Sequence, residues 1–142
     1  MPGRTAEAVW KGDLQTGSGT LKVGSGAFSG AYSYKSRFED GTGTNPEELL
    51  GAAHAGCFTM ALSAALSREG FKVNSVDTTA TVHLERTDKG MAITRIDLVT
   101  KGDVDGVDEA KFKAMADATK SGCIVSQALS AVPMTIDASL VK

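Results

Sequence analysis

Two cysteines carry most of the chemistry available to this chain, Cys57 in GAAHAGCFTM and Cys123 in SGCIVSQAL. They are too few for a disulfide framework and too far apart for CxxC redox or zinc spacing, so in a reducing compartment they either pack or do redox chemistry. A reactive thiol must ionise, which requires something cationic or dipolar beside the sulfur. Local features favour Cys123, which follows Gly122 at the start of a predicted short helix, where the helix dipole stabilises an anion. Cys57 falls inside a long apolar helix, and burial there opposes the thiolate. A reactive Cys57 therefore needs imported positive charge. Arg37 can supply it, since a guanidinium stays charged and forks toward anions, and Glu47 can hold Arg37 in place because Glu48 is occupied by helix capping. His54 lies three residues before Cys57 on one helix face, the spacing of a metal-ligand pair. Completing a zinc site would require both Cys123 and His83, yet His83 falls on a charged strand face with Asp77 and Glu85 and reads as a solvated histidine. His54 reads as packing, and plain packing also stays open for each sulfur.

The elements that must position these groups follow from punctuation and periodicity. Residues 5–10, 19–24 and 31–38 alternate partially and are separated by glycine- and serine-rich turns, which predicts a β-meander. In AYSYKSRF the alternation sets Tyr32, Tyr34, Ser36 and Phe38 against Ser33, Lys35 and Arg37, so Arg37 is expected to point away from the aromatic face. The glycine-rich TGSGTLKVGSG matches no phosphate loop and leads into a strand. In GTNPEELLGAAHAGCFTMALSAALSREG, Asn45 can cap, Pro46 suits the first helical position, Glu48 has capping-box spacing and Gly70 can close the far end, predicting a helix of about 24 residues. Almost nothing between Leu49 and Leu66 is charged, so this helix must be covered on most sides, by a wrapping sheet or by a second chain. Residues 75–103 read as a long hairpin turning at TDKG. Asp108 caps a helix bearing Phe112, Met115 and Ala116, a short helix begins at Cys123, and VPMTIDASLV reads as a final strand. Segregated strands and helices predict an α+β fold with antiparallel sheet, as one domain over residues 1–142.

Composition limits the function classes. With 15 basic and 17 acidic residues, a formal net charge of −2 and the basic side chains scattered, no nucleic-acid surface is predicted. The start, MPGRTAEAVWKGD, has no signal-peptide core, and no run reaches membrane-span length, so no membrane partner and a cytoplasmic location are expected.

The segments GTNPEELLGAAHAGCF and SGCIVSQAL, with WKGD near the start, RFEDGTGTNPEEL, VDTTATVHL and AITRIDL in order, resemble the OsmC/Ohr family of thiol peroxidases over nearly the whole chain. GAAHAGCF favours its OsmC branch. The resemblance implies a dithiol peroxidase without metal, haem or other cofactor, built as an intertwined homodimer with sheets wrapped around long central helices. It assigns Cys57 as the peroxidatic cysteine and Cys123 as the resolving one, with Arg37 and Glu47 as the pair that activates the thiolate. This reverses the local preference for Cys123. Organic hydroperoxides are the implied substrates, hydrogen peroxide a weaker one, and a lipoyl-type dithiol the implied reductant. Glu47 and Cys57 stand ten residues apart on one helix, about 15 Å along its axis. An arginine serving both is therefore expected to come from a neighbouring subunit. A redox switch without turnover and an apolar-ligand module are the alternative functions.

Overall fold

The computed structural model describes residues 1–141. The chain forms two compact units, Met1–Leu49 and a second from Leu50 onward.

The first unit is a meander of β1 (Ala6–Lys11), β2 (Ser18–Val23) and β3 (Ser29–Tyr32), antiparallel throughout. Gly12 and Gly26, both at positive φ, allow the reversals, a backbone region open to glycine without steric cost. The alternation read through residue 38 ends at Tyr32. Ser33 turns the chain instead: its hydroxyl accepts from the Ser36 amide at 3.2 Å, and the Ser36 hydroxyl accepts from the Ser33 amide at 2.9 Å. This reciprocal cap starts a short helix, α1 (Tyr34–Phe38), so Arg37 is helical and its expected orientation is corrected. Its guanidinium carbon lies 5.2 Å from the centroid of the Phe38 ring.

Helix α2 (Pro46–Arg68) begins as its sequence predicts, with the Asn45 side chain accepting from the Glu48 amide at 2.7 Å. It ends at Gly70, whose φ of +89° allows the Phe71 amide to return to the Leu66 carbonyl at 3.2 Å. Among its residues in the second unit, His54, Phe58, Leu62 and Leu66 are buried at four-residue spacing, while Ala52, Ala53, Gly56, Met60 and Ala64 are exposed. Length and composition alone would let α2 cross a membrane, but its buried row joins the core.

The second unit pairs β4 (Lys72–Thr87) with β5 (Gly90–Asp105) through a tight turn at Asp88 and Lys89. Register shifts near Asn74 and Thr94 bend the long hairpin. The final strand, β6 (Met134–Leu140), runs parallel to β5, which corrects the all-antiparallel expectation. A hydrophobic alternation announces a strand without stating its neighbour's direction. The helices α3 (Glu109–Gly122) and α4 (Ile124–Ala128) form the crossover from β5 to β6 that a parallel pair requires. The Phe112 ring of α3 packs against Gly102 of β5, at a distance that leaves no room for a Cβ. The core joins Phe58, Leu62 and Leu66 of α2 to Ile96 and Leu98 of β5 and to Phe112 and Ala116 of α3.

Candidate active site

Arg37 and Glu47 meet within the first unit. The guanidinium donates from Nε to Glu47 Oε1 at 3.1 Å and from Nη2 to Oε2 at 3.0 Å. Such a two-bond fork fixes the guanidinium plane as well as its position. The sequence places the partners close enough: α1 ends just before the loop that delivers Glu47 to the first turn of α2, and the Asn45 side chain ties that loop back to the Ser36 carbonyl at 3.0 Å. The Glu47 side chain is 9% exposed and that of Arg37 37%, so the carboxylate is sequestered while the cation keeps a free edge. That edge borders a cleft of about 380 Å³ lined by Trp10, Leu14, Tyr32, Tyr34 and Phe38. The aromatic side chains come from the meander and α1, with Trp10 and Tyr32 packed edge to face at 5.3 Å.

The second unit brings Cys57 and Cys123 together. Both thiols are free, and Cys57 packs against the core cluster that contains Cys123. Cys57 on α2 is half-buried, whereas Cys123 is fully buried, the reverse of the expectation that Cys57 is the hidden sulfur. Cys123 is the residue that caps α4: its sulfur accepts from the Ser126 amide at 3.5 Å. Burial pushes the Cys123 thiol up, but hydrogen bonds from the Ser126 hydroxyl and amide, from Cys57 and from the Val125 amide outweigh it and leave the thiol below its ordinary value. The direction of that shift is the one a helix start favours, with identifiable donors in place of a general dipole.

His54 is buried and bonds through Nε2 to Ser126 Oγ at 2.7 Å. Burial pushes its imidazole below the usual range, so it is neutral at pH 7. Sequence reading treated His54 as packing and did not single out Ser126. The available signals were the three-residue step from Cys123 to Ser126 at a helix start and the matching step from His54 to Cys57. His83 stands elsewhere, hydrogen-bonded through Nε2 to Asp97 Oδ2 at 2.7 Å beside Arg95, so it has side-chain partners on its charged strand face where solvent alone was expected. The four residues assigned by resemblance thus form two pairs, one per unit.

The family model described as OsmC-like protein matches residues 39–137. Peroxiredoxin OsmC of Escherichia coli (strain K12) is 46% identical over 138 residues, covering 96% of this chain and 96% of that protein. Among solved structures, the organic hydroperoxide resistance protein OsmC of Legionella pneumophila superposes with a TM-score of 0.74 at 22% identity, covering 95% of this chain and 96% of its own. The organic hydroperoxide resistance protein OhrB of Bacillus subtilis gives a TM-score of 0.72 at 22% identity, covering 96% and 97%. At those identities the two structures speak for the shared fold, while the extent of the family match and the 46% identity to the Escherichia coli protein decide the relationship: the chain belongs to the OsmC-like protein family.

Proposed function

We propose that the chain is a cysteine-based thiol peroxidase that reduces organic hydroperoxides, and hydrogen peroxide more weakly, to the corresponding alcohols or water. The observation that carries this reading is that two free thiols from distant parts of the sequence, Cys57 and Cys123, come together in one packed cluster. The relatives' names, peroxiredoxin and organic hydroperoxide resistance protein, agree with it. In the proposed cycle the Cys57 thiolate attacks the terminal peroxide oxygen, the O–O bond breaks, and the leaving alkoxide takes a proton to become the alcohol. Arg37, held by Glu47, stabilises the charge that develops on the leaving oxygen. Cys57 is left as a sulfenic acid. Cys123 attacks its sulfur, water leaves, and the Cys57–Cys123 disulfide forms. An external dithiol, of lipoyl type, then exchanges with the disulfide and restores both thiols while itself becoming oxidised. All the redox equivalents pass through sulfur, with no cofactor.

The proposed working form is a homodimer of OsmC-like domains, each spanning residues 1–142, in the cytoplasm, with sheets wrapped around the central helices. The exposed row Ala52, Ala53, Gly56, Met60 and Ala64 supports it, because an uncovered apolar row along one helix face marks an interaction surface. The separation of Glu47 from Cys57 along α2, about 15 Å, supports donation of the Arg37–Glu47 pair by the second subunit.

Steady-state consumption of dihydrolipoamide with cumene hydroperoxide tests the reading. Multiple turnovers are expected, lost in Cys57→Ser. Turnover unchanged in Cys57→Ser, or a single stoichiometric oxidation of the wild type, refutes it. Sedimentation at assay concentration tests the dimer, and a monodisperse active monomer would overturn that part.

A further inference from the structure

The Ser126 amide donates to the buried Cys123 sulfur at 3.5 Å, and the Ser126 hydroxyl is hydrogen-bonded to the buried His54 Nε2 at 2.7 Å. The contacts in this row connect α2, α4 and the α3–α4 junction, yet none of the catalytic steps above uses the imidazole. Its ring makes one hydrogen bond. Nδ1 is buried and has no partner among the described residues. That orphan nitrogen determines the direction of the row. If Nδ1 carried the proton, the molecule would bury an N–H donor with nothing to receive it, which folded proteins rarely tolerate. With the proton on Nε2, the unpaired group is only a lone pair. Nε2–H then donates to Ser126 Oγ, and the serine oxygen has no need to give its own hydrogen to histidine. That hydrogen is free for the neighbouring sulfur.

We infer that His54 and Ser126 form a directed hydrogen-bond chain, His54 Nε2–H to Ser126 Oγ–H to Cys123 Sγ, that orients a donor onto the resolving sulfur. His54 acts through Ser126 and is a positioning residue. Ser126 touches the reacting sulfur. The inference rests on the proposed resolving role of Cys123 for its functional meaning, and, for the chain itself, on the His54–Ser126 bond, the orphan Nδ1 and the contact of the Ser126 amide with the sulfur. Burial keeps the imidazole uncharged, so it contributes orientation without placing a cation in the core. Alongside the Ser126 amide, the hydroxyl would give the sulfur a second donor from the first turn of α4, and Cys57 of α2 is the titratable group packed against the same cluster. In the forward step Cys123 loses its proton, forms a bond to the Cys57 sulfenic sulfur and releases hydroxide, which is protonated to water. The chain stabilises the sulfur anion before that bond forms, and receives no electrons.

Two measurements test this without any peroxide. Nitrogen-15 spectra of histidine-labelled protein, with His83→Gln used to assign the two rings, are expected to show His54 neutral and protonated on Nε2. A proton on Nδ1 would overturn the inference. In a Cys57→Ser background, ultraviolet absorbance follows ionisation of Cys123 alone. Ser126→Ala is expected to raise the midpoint by about one pH unit or more, the size of a lost hydrogen bond to a charged acceptor. His54→Leu is expected to raise it by a smaller amount, and His54→Gln, whose amide can donate from about the same place, to return it. Midpoints unchanged in Ser126→Ala, or equal in His54→Leu and His54→Gln, would overturn the inference. With intact Cys57, His54→Leu is expected to slow disulfide closure by about threefold or more while sulfenic acid forms at the wild-type rate. Equal slowing of both steps would mean that His54 serves only packing. Failure of wild-type turnover would instead refute the peroxidase reading and leave the spectra and the titration to decide this one.

Discussion

Replacing Arg37 by lysine keeps the charge and removes the geometry. In the wild type two parallel bonds, 3.1 and 3.0 Å, fix the guanidinium against Glu47. Lysine can satisfy one carboxylate oxygen at a time, and a charge-assisted hydrogen bond contributes roughly 1.5–3 kcal/mol. The Arg37 side chain is 37% exposed, so water replaces part of what is lost and the lower half of that range applies. If the fixed plane of Arg37 serves the departing alkoxide, kcat/KM for cumene hydroperoxide should fall about tenfold, with kcat falling in step because the interaction belongs to the transition state. Global stability should change by less than about 1 kcal/mol in urea titrations, since the ion pair survives in looser form. The assay is stopped-flow oxidation of the protein by peroxide, followed by dimedone capture in a Cys123→Ser background. A rate within about twofold of the wild type would refute the claim that planarity matters. A rise in KM alone, with kcat unchanged, would place Arg37 in ground-state binding.

Gly102→Ala would put a methyl group 2.6 Å from Cε1 and Cζ of the buried Phe112 ring, so an overpacking cost of about 1–3 kcal/mol is expected as a lower urea midpoint. Hydrogen bonds from Arg95, Thr135 and His83 hold the Asp97 carboxyl well below the ordinary carboxylate range. A carboxyl whose folded pKa is depressed stabilises the fold above its unfolded value, so the wild type should exceed Asp97→Asn in stability at neutral pH. That difference should shrink as the pH drops below about 4 and approach zero through the depressed folded value. Denaturant melts of both proteins across the acid range check the sign, and a gap that widens on acidification would contradict it.

How much of this was legible in sequence depended on how local its cause was. Helix α2 carries its limits in its own letters, with Asn45 and Pro46 at one end and Gly70 at the other, and the hairpin and Asp108 cap were equally local. Helix α1 was misread as strand because its capping box uses Ser33 and Ser36 where Glu or Gln is the usual cue. The pairing of Arg37 with Glu47 was readable as complementary charge, whereas its two-bond fork depended on the turn that Ser33 starts. The direction of β6 and the row His54, Ser126 and Cys123 come from long-range packing that no spacing rule encodes. Local chemistry did foretell an acidified Cys123, and only the family resemblance pointed to Cys57 as nucleophile.

That choice between sulfurs is the centre of the account, and locating the first oxidation tests it most directly. Reduced wild-type protein and its Cys123→Ser and Cys57→Ser variants, each given one brief exposure to cumene hydroperoxide with dimedone present, can be mapped by peptide mass spectrometry. The account predicts a Cys57–Cys123 disulfide in the wild type, dimedone on Cys57 in Cys123→Ser, and no rapid label in Cys57→Ser. Rapid labelling of Cys123 in Cys57→Ser, with Cys57 unlabelled in the other variant, would contradict it.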